Sequence, residues 1–421
     1  MWLLTKTAGE RSRKRRRSAL TMTVSTAALA ALPLLSHVAP RAVIAIPAHD
    51  EAKRLPDCLM ALAAQRVPGG LADLRVLVLA NNCSDATAAL ARDMAPRLPF
   101  PLIVVERWLP LHLANAGGAR HVAMAEAVAL AGPNTALLST DADARPDPGW
   151  VAANLAALMA GADAVAGTIL LDASEAARLP APLRRRERLE SRYAGLLDRL
   201  AALVDPVPHD PWPTHGIHSG ASIALHLAAY RSVGGIPTVS VGEDRALFAA
   251  LARRDARIRH CPHTKVTVSC RLEGRAVGGM ADTMRRRLDD PGHPVDARLE
   301  PVSPALIRLR SRRALRRLRE AGPEMEASER LTLGLGLTPA LVAGLTAAPS
   351  FGMAWEALQA AAPLLRQPWP MRSADLPIEI DRAKAVLRDL GGVRPVAAAR
   401  PGDIVQPVPA GLPRESLALR R

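Results

Sequence analysis

The sequence predicts an α/β protein with a mostly parallel, doubly wound sheet, followed by a C-terminal helical appendage. Between residues 41 and 169, short apolar runs of strand length alternate with segments of helical spacing. This alternation is typical of a parallel sheet that is covered by helices on both faces. Beyond residue 284, helical patterns follow one another without strand patterns between them. Because 49% of the 421 residues are apolar, the chain can bury a large core.

The elements can be assigned in chain order from these patterns. The predicted strands are 42–46, 75–79, 102–105, 136–139 and 164–169. The predicted helices that follow them are 51–65, 86–94, 117–130, 148–159 and 183–204. Residues 209–219 are rich in proline and histidine and predict a loop. In the appendage, helices are predicted at 304–320, 339–345, 351–362 and 378–390.

The patterns divide the chain into four parts. Residues 1–40 form a basic and then apolar extension, which is either a disordered arm or a weak membrane anchor, since Pro33 and His37 interrupt its apolar part. Residues 41–284 carry the predicted sheet, and residues 285–399 form the helical appendage. Residues 400–421 are rich in proline and predict a flexible tail. Met22 is an alternative start, which would place residues 1–21 outside the native protein.

The charge distribution argues against a nucleic-acid-binding protein. The formal net charge is +15, but the excess lies before residue 22 and after residue 284, while the part between them is nearly neutral. The four cysteines show no C-x-x-C spacing and predict free thiols in a reducing compartment. We therefore expect a cytoplasmic protein without a nucleic-acid partner.

Polar residues cluster directly after three of the predicted strands. The clusters are PAHDE at 47–51, NNCSD at 81–85 and DAD at 141–143. In an open parallel sheet, ligands bind beyond the carboxyl ends of the strands, so the clusters predict one site at this edge. If the DAD stretch is extended, Asp141 and Asp143 point the same way, and two neighbouring carboxylates favour a hard divalent cation. The alternative for DAD alone is a turn without a ligand.

Four segments resemble family 2 glycosyltransferases, which have the GT-A (Rossmann-like) fold. They are AVIAIPAHDEAKRLPDCLMALAAQ, VLVLANNCSDAT, STDADARPDPGW, and HSGASIALHLAAYRSVGG followed by GEDRALFAAL. The resemblance covers residues 41 to about 284. It implies an enzyme that transfers a sugar, with inversion, from a nucleotide-diphosphate sugar to an acceptor hydroxyl of a glycan, a lipid or a small molecule. It also implies Mn²⁺ or Mg²⁺ as the cofactor.

The resemblance assigns roles to residues of this chain. Asp141 and Asp143 would hold the metal, and Asp244 would be the general base, with Glu243 as its neighbour. The residues implied in nucleotide-sugar binding are Ala48, Asp50, Glu51, Asn81, Arg120 and Asp141. Those implied in the acceptor floor are Ser219, Gly220 and Ala221.

Two departures from the family pattern leave the nucleotide open. Many members have a pair of aspartates after the second strand, where this chain has Asn81 and Asn82. An amide both donates and accepts hydrogen bonds, whereas a carboxylate only accepts them. The usual Tyr-Asn after the first strand is replaced by His49 and Asp50.

Two other functions remain as alternatives. A nucleotidyltransferase would normally have a glycine-rich loop after the first strand, and PAHDE contains no glycine. A non-catalytic nucleotide-sugar binder or a basic-arm interaction protein is the other alternative. The arginine-rich helix at 304–319 has an apolar stripe at Ile307, Ser311, Ala314, Leu315 and Leu318. We expect this stripe to pack on the protein, and a peripheral contact with the inner membrane face is the second interpretation.

Overall fold

The computed structural model describes residues 41–274, 278–322, 325–366 and 369–391. The predicted N-terminal extension and the tail at 400–421 lie outside these residues. The strands are β1 (Ala42–Ala48), β2 (Leu74–Asn81), β3 (Leu102–Arg107), β4 (Ala136–Ser139), β5 (Ala144–Pro146), β6 (Ala164–Leu171), β7 (Ile223–His226) and β8 (Ile258–Val268). They form one sheet in the order β3-β2-β1-β4-β7-β6-β8-β5.

Helices cover both faces of the sheet. Those of the sheet region are α1 (Leu55–Ala63), α2 (Thr87–Met94), α3 (Ala116–Ala129), α4 (Trp150–Met159), α5 (Ala173–Arg178), α6 (Ala181–Val204), α7 (Leu227–Ser232), α8 (Glu243–Arg253) and α9 (Met280–Asp289). Strand β1 lies between β2 and β4, parallel to both. Its alternate residues enter different cores, Ile44 and Ile46 on one face and Val43 and Ala45 on the other. The predicted α/β fold class is confirmed.

The second half of the sheet is less regular than the parallel pattern predicts. Strand β7 pairs antiparallel with both β4 and β6, and β5 pairs antiparallel with β8. The sequence analysis did not predict β5, because only the three residues Ala144–Pro146 form it, directly after the DAD turn. Helix α1 begins at Leu55, later than the predicted Glu51, because residues 52–54 form a turn.

The appendage packs on the sheet region. Its helices are α10 (Val302–Ala321), α11 (Met325–Leu335), α12 (Pro339–Thr346), α13 (Phe351–Ala361) and α14 (Leu376–Asp389). Helix α10 buries Ser311, Ala314, Leu315 and Leu318 as predicted, but Ile307 is 38% exposed. Leu309 takes part in a core shared with α6 and α14.

The link between α13 and the sheet region is polar. The Asp255 carboxylate accepts hydrogen bonds from the backbone N–H groups of Phe351 and Gly352, both at 2.8 Å. The Ser350 hydroxyl donates to the Arg253 carbonyl at 2.6 Å. These contacts fix the start of α13 beside the end of α8. No helix in the described part of the chain is both long and apolar enough to cross a membrane.

Replacement of Gly167 by alanine is expected to destabilise the fold. A Cβ atom at Gly167 would lie 1.9 Å from Ser222 Oγ and 2.4 Å from the Thr264 carbonyl oxygen, where β6 and β8 shift register. Overpacking of this kind costs about 1–3 kcal/mol. Urea denaturation of Gly167→Ala should show this loss in the free energy of unfolding.

Gly195→Ala is the matched control for this substitution. Gly195 lies in α6 with no atom within 4 Å of its would-be Cβ. Alanine in a helix interior is favoured over glycine by roughly 0.5–1 kcal/mol, so this variant should be more stable than the wild type. Equal stability of both variants would contradict the close packing at Gly167.

Candidate active site

A cavity of about 1700 Å³ opens at the carboxyl ends of the parallel strands and reaches the appendage. Single ligand sites usually enclose roughly 300–1,000 Å³, so there is room for two substrates. The residues assigned from the sequence that line it are Ala48, Glu51, Asn81, Arg120, Asp141, Asp143, Ser219, Gly220, Ala221, Glu243 and Asp244. The fold thus brings six separate segments of sequence to one cavity.

Asp141 and Asp143 reach the cavity from a turn and not from an extended strand. The Ala144 N–H donates to the Asp141 carbonyl at 3.1 Å, so the expected extended geometry is wrong. Ala142 is 3% exposed and packs in the core, which leaves the two carboxylates on the cavity side. The shared orientation therefore comes from the turn and from burial of the small residue between the carboxylates.

Arg271 is a cation that faces Asp143 and the neighbouring Glu51. Its guanidinium lies 2.6 Å from Glu51 Oε1 and 3.1 Å from Asp143 Oδ2. Burial alone would lower the pKa of Arg271, but the hydrogen bond to Glu51 and the charge of Asp143 outweigh it and raise that pKa. Sequence reasoning missed Arg271, because it follows β8 in a segment more than 120 residues from the DAD turn.

The carboxylates of Asp141 and Asp143 are suitable ligands for a divalent cation. Burial and the negative charge of Asp141 raise the pKa of Asp143 to about 6, although Arg271 opposes the shift. Asp143 is therefore a carboxylate whose charge the protein balances only in part. The carboxylate oxygens of Asp141 and Asp143 are ligands of the type that Mg²⁺ and Mn²⁺ prefer.

Arg120 connects the DAD turn to Gly220 and the start of α8 across the cavity. Its side chain is only 5% exposed, and Nε donates to Glu243 Oε1 at 2.9 Å. Its terminal nitrogens donate to Asp141 Oδ1 at 2.5 Å and to the Gly220 carbonyl at 2.9 Å. Burial would lower the pKa of Arg120, but the charges of Asp141 and Glu243 outweigh it and raise that pKa. Arg120 is therefore a permanent buried cation.

Asp244 lies at the first turn of α8, beside the loop before β7. Its Oδ2 accepts a hydrogen bond from the Gly220 N–H at 3.0 Å. Burial and the charge of Glu243 raise its pKa, and the hydrogen bonds from the backbone of Arg245 and Gly220 oppose this. A carboxylate with a raised pKa is a stronger base than a solvated one.

A chain of hydrogen bonds joins Asp210, His260 and His218 along the same cavity. Asp210 Oδ2 lies 2.7 Å from His260 Nδ1, and His260 Nε2 lies 3.0 Å from His218 Nε2. Burial would raise the pKa of Asp210, but the hydrogen bonds from His260 and Arg259 lower it to about 2. Burial and the proximity of His260 lower the pKa of His218 to about 3. At neutral pH His218 is therefore a neutral ring beside the predicted acceptor floor.

Asp50 is the assigned residue that does not line the cavity. Its carboxylate accepts hydrogen bonds from the Ser84 N–H and hydroxyl and from the Asp85 N–H. These bonds hold the loop after β2 against the loop after β1. His49, Asp50 and Cys83 place possible ligand atoms within 4.8 Å of one another. Burial raises the pKa of the Cys83 thiol, however, and a metal ligand requires the thiolate.

Residues 43–207 match the family model described as Glycosyl transferase family 2. The match confirms the family resemblance over this segment, which includes β1, β2 and the DAD turn. The chain is therefore a glycosyltransferase that carries a family 2 domain. The match assigns no role to a residue, so the roles of Asp141 and Asp143 inside it, and of Gly220 and Asp244 beyond it, remain predictions. A comparison with curated protein sequences found no match.

Solved structures with similarity to this chain include glycosyltransferases in complex with nucleotide sugars. One is the mannosyltransferase PcManGT from Pyrobaculum calidifontis in complex with GDP-Man and Mn²⁺, at 16% identity over 77% of this chain and 87% of that chain, with a TM-score of 0.37. Another is S. aureus TarS 1–349 in complex with UDP-GlcNAc, at 15% identity over 83% of this chain and 92% of that chain, with a TM-score of 0.41. These values are too low to carry an argument about the donor or acceptor of this chain.

Replacement of Arg120 is expected to destabilise the protein strongly. Arg120→Met keeps the length of the side chain but leaves Glu243, itself 6% exposed, without its cation. Removing one partner of a buried ion pair costs about 3–5 kcal/mol. Arg92→Met is the control, because Arg92 and Glu106 form an exposed pair and should lose less than about 1 kcal/mol. Similar urea midpoints for both variants would contradict the central role of Arg120.

The half-buried, neutral His218 is expected to make the fold sensitive to mild acid. An unfolded histidine takes up a proton near pH 6.5, whereas His218 in the fold does so only at about pH 3. Stability is therefore lost as the pH falls from 6.5 towards 3. Between pH 7.5 and 5.5, the free energy of unfolding of the wild type should fall by about 1.4 kcal/mol more than that of His218→Gln. The exposed His112→Gln should follow the wild type, and a parallel response of all three proteins would contradict the prediction.

Proposed function

We propose that this glycosyltransferase is a metal-dependent, inverting enzyme that transfers a sugar from a nucleotide-diphosphate sugar to an acceptor hydroxyl. The observation that supports it most is the arrangement around Arg120. One buried guanidinium contacts Asp141 on the metal side and, through Glu243 and Gly220, the two segments that hold Asp244. Asp141, which we assign to donor binding, and Asp244, which we assign to proton removal, thus lie in one cavity. The side chain of Arg120 links the segments that carry them.

The donor occupies the end of the cavity at β1, β2 and β4. Asn81 and Ala48 lie at the ends of β2 and β1, and Asn81 Oδ1 is buried without a hydrogen-bond partner among the described residues. A nucleobase N–H could satisfy this acceptor. Asp141 and Asp143 would hold the Mn²⁺ or Mg²⁺, since their carboxylate oxygens are ligands of the type that these ions prefer. When bound there, the ion neutralises charge on the departing nucleotide diphosphate.

The acceptor hydroxyl approaches from the side of Gly220 and Asp244. Asp244 removes its proton while the oxygen attacks the anomeric carbon, and the bond to the diphosphate breaks on the opposite face. The Gly220 N–H binds Oδ2 of Asp244 at 3.0 Å and the Arg245 N–H binds Oδ1 at 2.6 Å, so both bonds hold the carboxylate in place, and the proton is taken by a lone pair that these donors leave unused. Glu243 remains bound to Arg120, and it orients the start of α8 rather than acting as the base.

The experiment is calorimetric binding of UDP, GDP, dTDP, CDP and ADP at pH 7.5, above the raised pKa of Asp143, with and without Mn²⁺. The wild type should bind one nucleotide in a metal-dependent way, and Asp143→Ala should lose at least about tenfold in affinity, since one charged ligand is lost. Asp57→Asn, which removes an exposed carboxylate of α1, is the control and should bind as the wild type does.

Asp244→Asn then separates binding from chemistry. It should bind the same nucleotide as tightly as the wild type, but lose more than about 100-fold in release of the nucleotide from its sugar conjugate. Failure of the folded wild type to bind any nucleotide would refute the proposal. Binding without release by the wild type would favour the non-catalytic alternative.

A further inference from the structure

Three arginines of α10 face the cavity at its appendage end. Arg308, Arg312 and Arg316 are spaced four residues apart, so they lie on one face of the helix, and all three line the cavity. Like charges at this spacing destabilise a helix. Arg310, on the same helix, is exposed and does not line the cavity.

Most N–H donors of Arg308 and Arg312 have no hydrogen-bond partner among the described residues. A guanidinium carries five N–H donors. Among the described residues, Arg308 donates to Glu300 through one terminal nitrogen, and its Nε is buried without a partner. Arg312 has an ion pair with Asp205 at 3.5 Å and contacts the ring of Phe351, with no hydrogen bond to a described residue.

Arg316 is the main partner of the Asp205 carboxylate. It contacts both oxygens of Asp205, at 3.2 and 3.3 Å, while Arg312 reaches the same carboxylate only at 3.5 Å. The three arginines are thus paired with only two carboxylates, those of Glu300 and Asp205, which leaves one positive charge in excess. The excess lies at the wall of an open cavity, where a ligand can reach it.

Other carboxylates at this end are engaged elsewhere or lie in solvent. Asp210 is held by Arg259 and His260. Asp255 caps the N-terminus of α13 with both of its oxygens, and Glu320 is exposed in the last turn of α10.

The pKa values of Arg308 and Arg312 agree with an excess of positive charge at this end of the cavity. Burial and the charge of Arg312 lower the pKa of Arg308 to about 10. Burial also lowers the pKa of Arg312, which Asp205 opposes and Arg316 reinforces. These shifts describe cations that an anion would stabilise.

We propose that Arg308 and Arg312 form a subsite for an anionic group, phosphoryl or carboxylate, carried by the acceptor substrate. The site rests on the proposed function insofar as it assigns the ligand to the acceptor. At the DAD end of the same cavity, Glu51, Asp141 and Asp143 face the two cations Arg271 and Arg120, so carboxylates are in excess there, whereas arginines are in excess at the α10 end. An acceptor that carries an anion would therefore bind in one direction, with its charged end at α10 and a hydroxyl towards Asp244.

The test uses the full chain without metal or nucleotide. Binding of inorganic phosphate and of malonate is measured by calorimetry at constant ionic strength in chloride, for the wild type, Arg308→Gln, Arg312→Gln and the control Arg310→Gln. Loss of one charge-assisted contact should weaken binding about tenfold in Arg308→Gln and in Arg312→Gln, and not in Arg310→Gln. Stronger binding of phosphate than of malonate would indicate a phosphoryl group, and the reverse a carboxylate.

Metal-dependent nucleotide binding by the same variants tests the donor site separately. Arg308→Gln and Arg312→Gln should bind nucleotide as the wild type does, which also shows that they are folded. Anion binding that is absent from the wild type, or that falls equally in Arg310→Gln, would overturn the subsite whatever the nucleotide result. Loss of both nucleotide and anion binding in Arg312→Gln would place the anion at the donor site and also overturn it.

Discussion

The buried guanidinium of Arg120 is the constraint on which the site depends. A cation with a side chain 5% exposed is stable only when it is fully paired, and Arg120 meets Glu243, Asp141, Ser139 and the Gly220 carbonyl together. These partners belong to α8, to the end of β4 and to the loop before β7. Because one rigid planar group bonds to all of them, their relative positions are fixed to within a hydrogen-bond length.

This constraint explains the small residues around Arg120. A Cβ atom at Gly220 would lie 2.3 Å from the Arg120 guanidinium, and one at Gly117 would lie 2.0 Å from the Val239 carbonyl oxygen. One at Gly118 would lie 2.4 Å from the Leu113 carbonyl oxygen. Gly117 therefore lets the first turn of α3 approach the start of α8, Gly118 lets it approach the chain at Leu113, and Gly220 leaves room for the Arg120 guanidinium. Their role in the site is to allow close approach, and none of the three has a positive φ.

Sequence patterns predicted the parallel part of the sheet and the carboxylates at its edge, because both depend on short-range information. Apolar runs mark buried strands, and the carboxyl ends of parallel strands meet at one edge, so Asp141 and Asp143 could be placed together before the structure was known. Arg271 could not be found in this way, since its contact with Glu51 joins residues 220 positions apart. Asp50 was misplaced because the local pattern does not show whether its carboxylate faces a ligand or, as here, the backbone of Ser84.

The appendage shows why charge patterns alone are ambiguous. The arginines of α10 fit equally a solvated helix, a membrane-facing helix or a ligand site when only their spacing is known. Their partners separate these cases: Arg313 and Arg319 bond to backbone carbonyls, and Arg316 takes both oxygens of Asp205. Arg308 and Arg312 differ from these three, since they keep N–H donors that have no partner among the described residues, at the wall of a cavity whose opposite end carries an excess of carboxylates. A helix that holds three arginines on one face against only two carboxylates is therefore better explained by an anion that binds there than by packing.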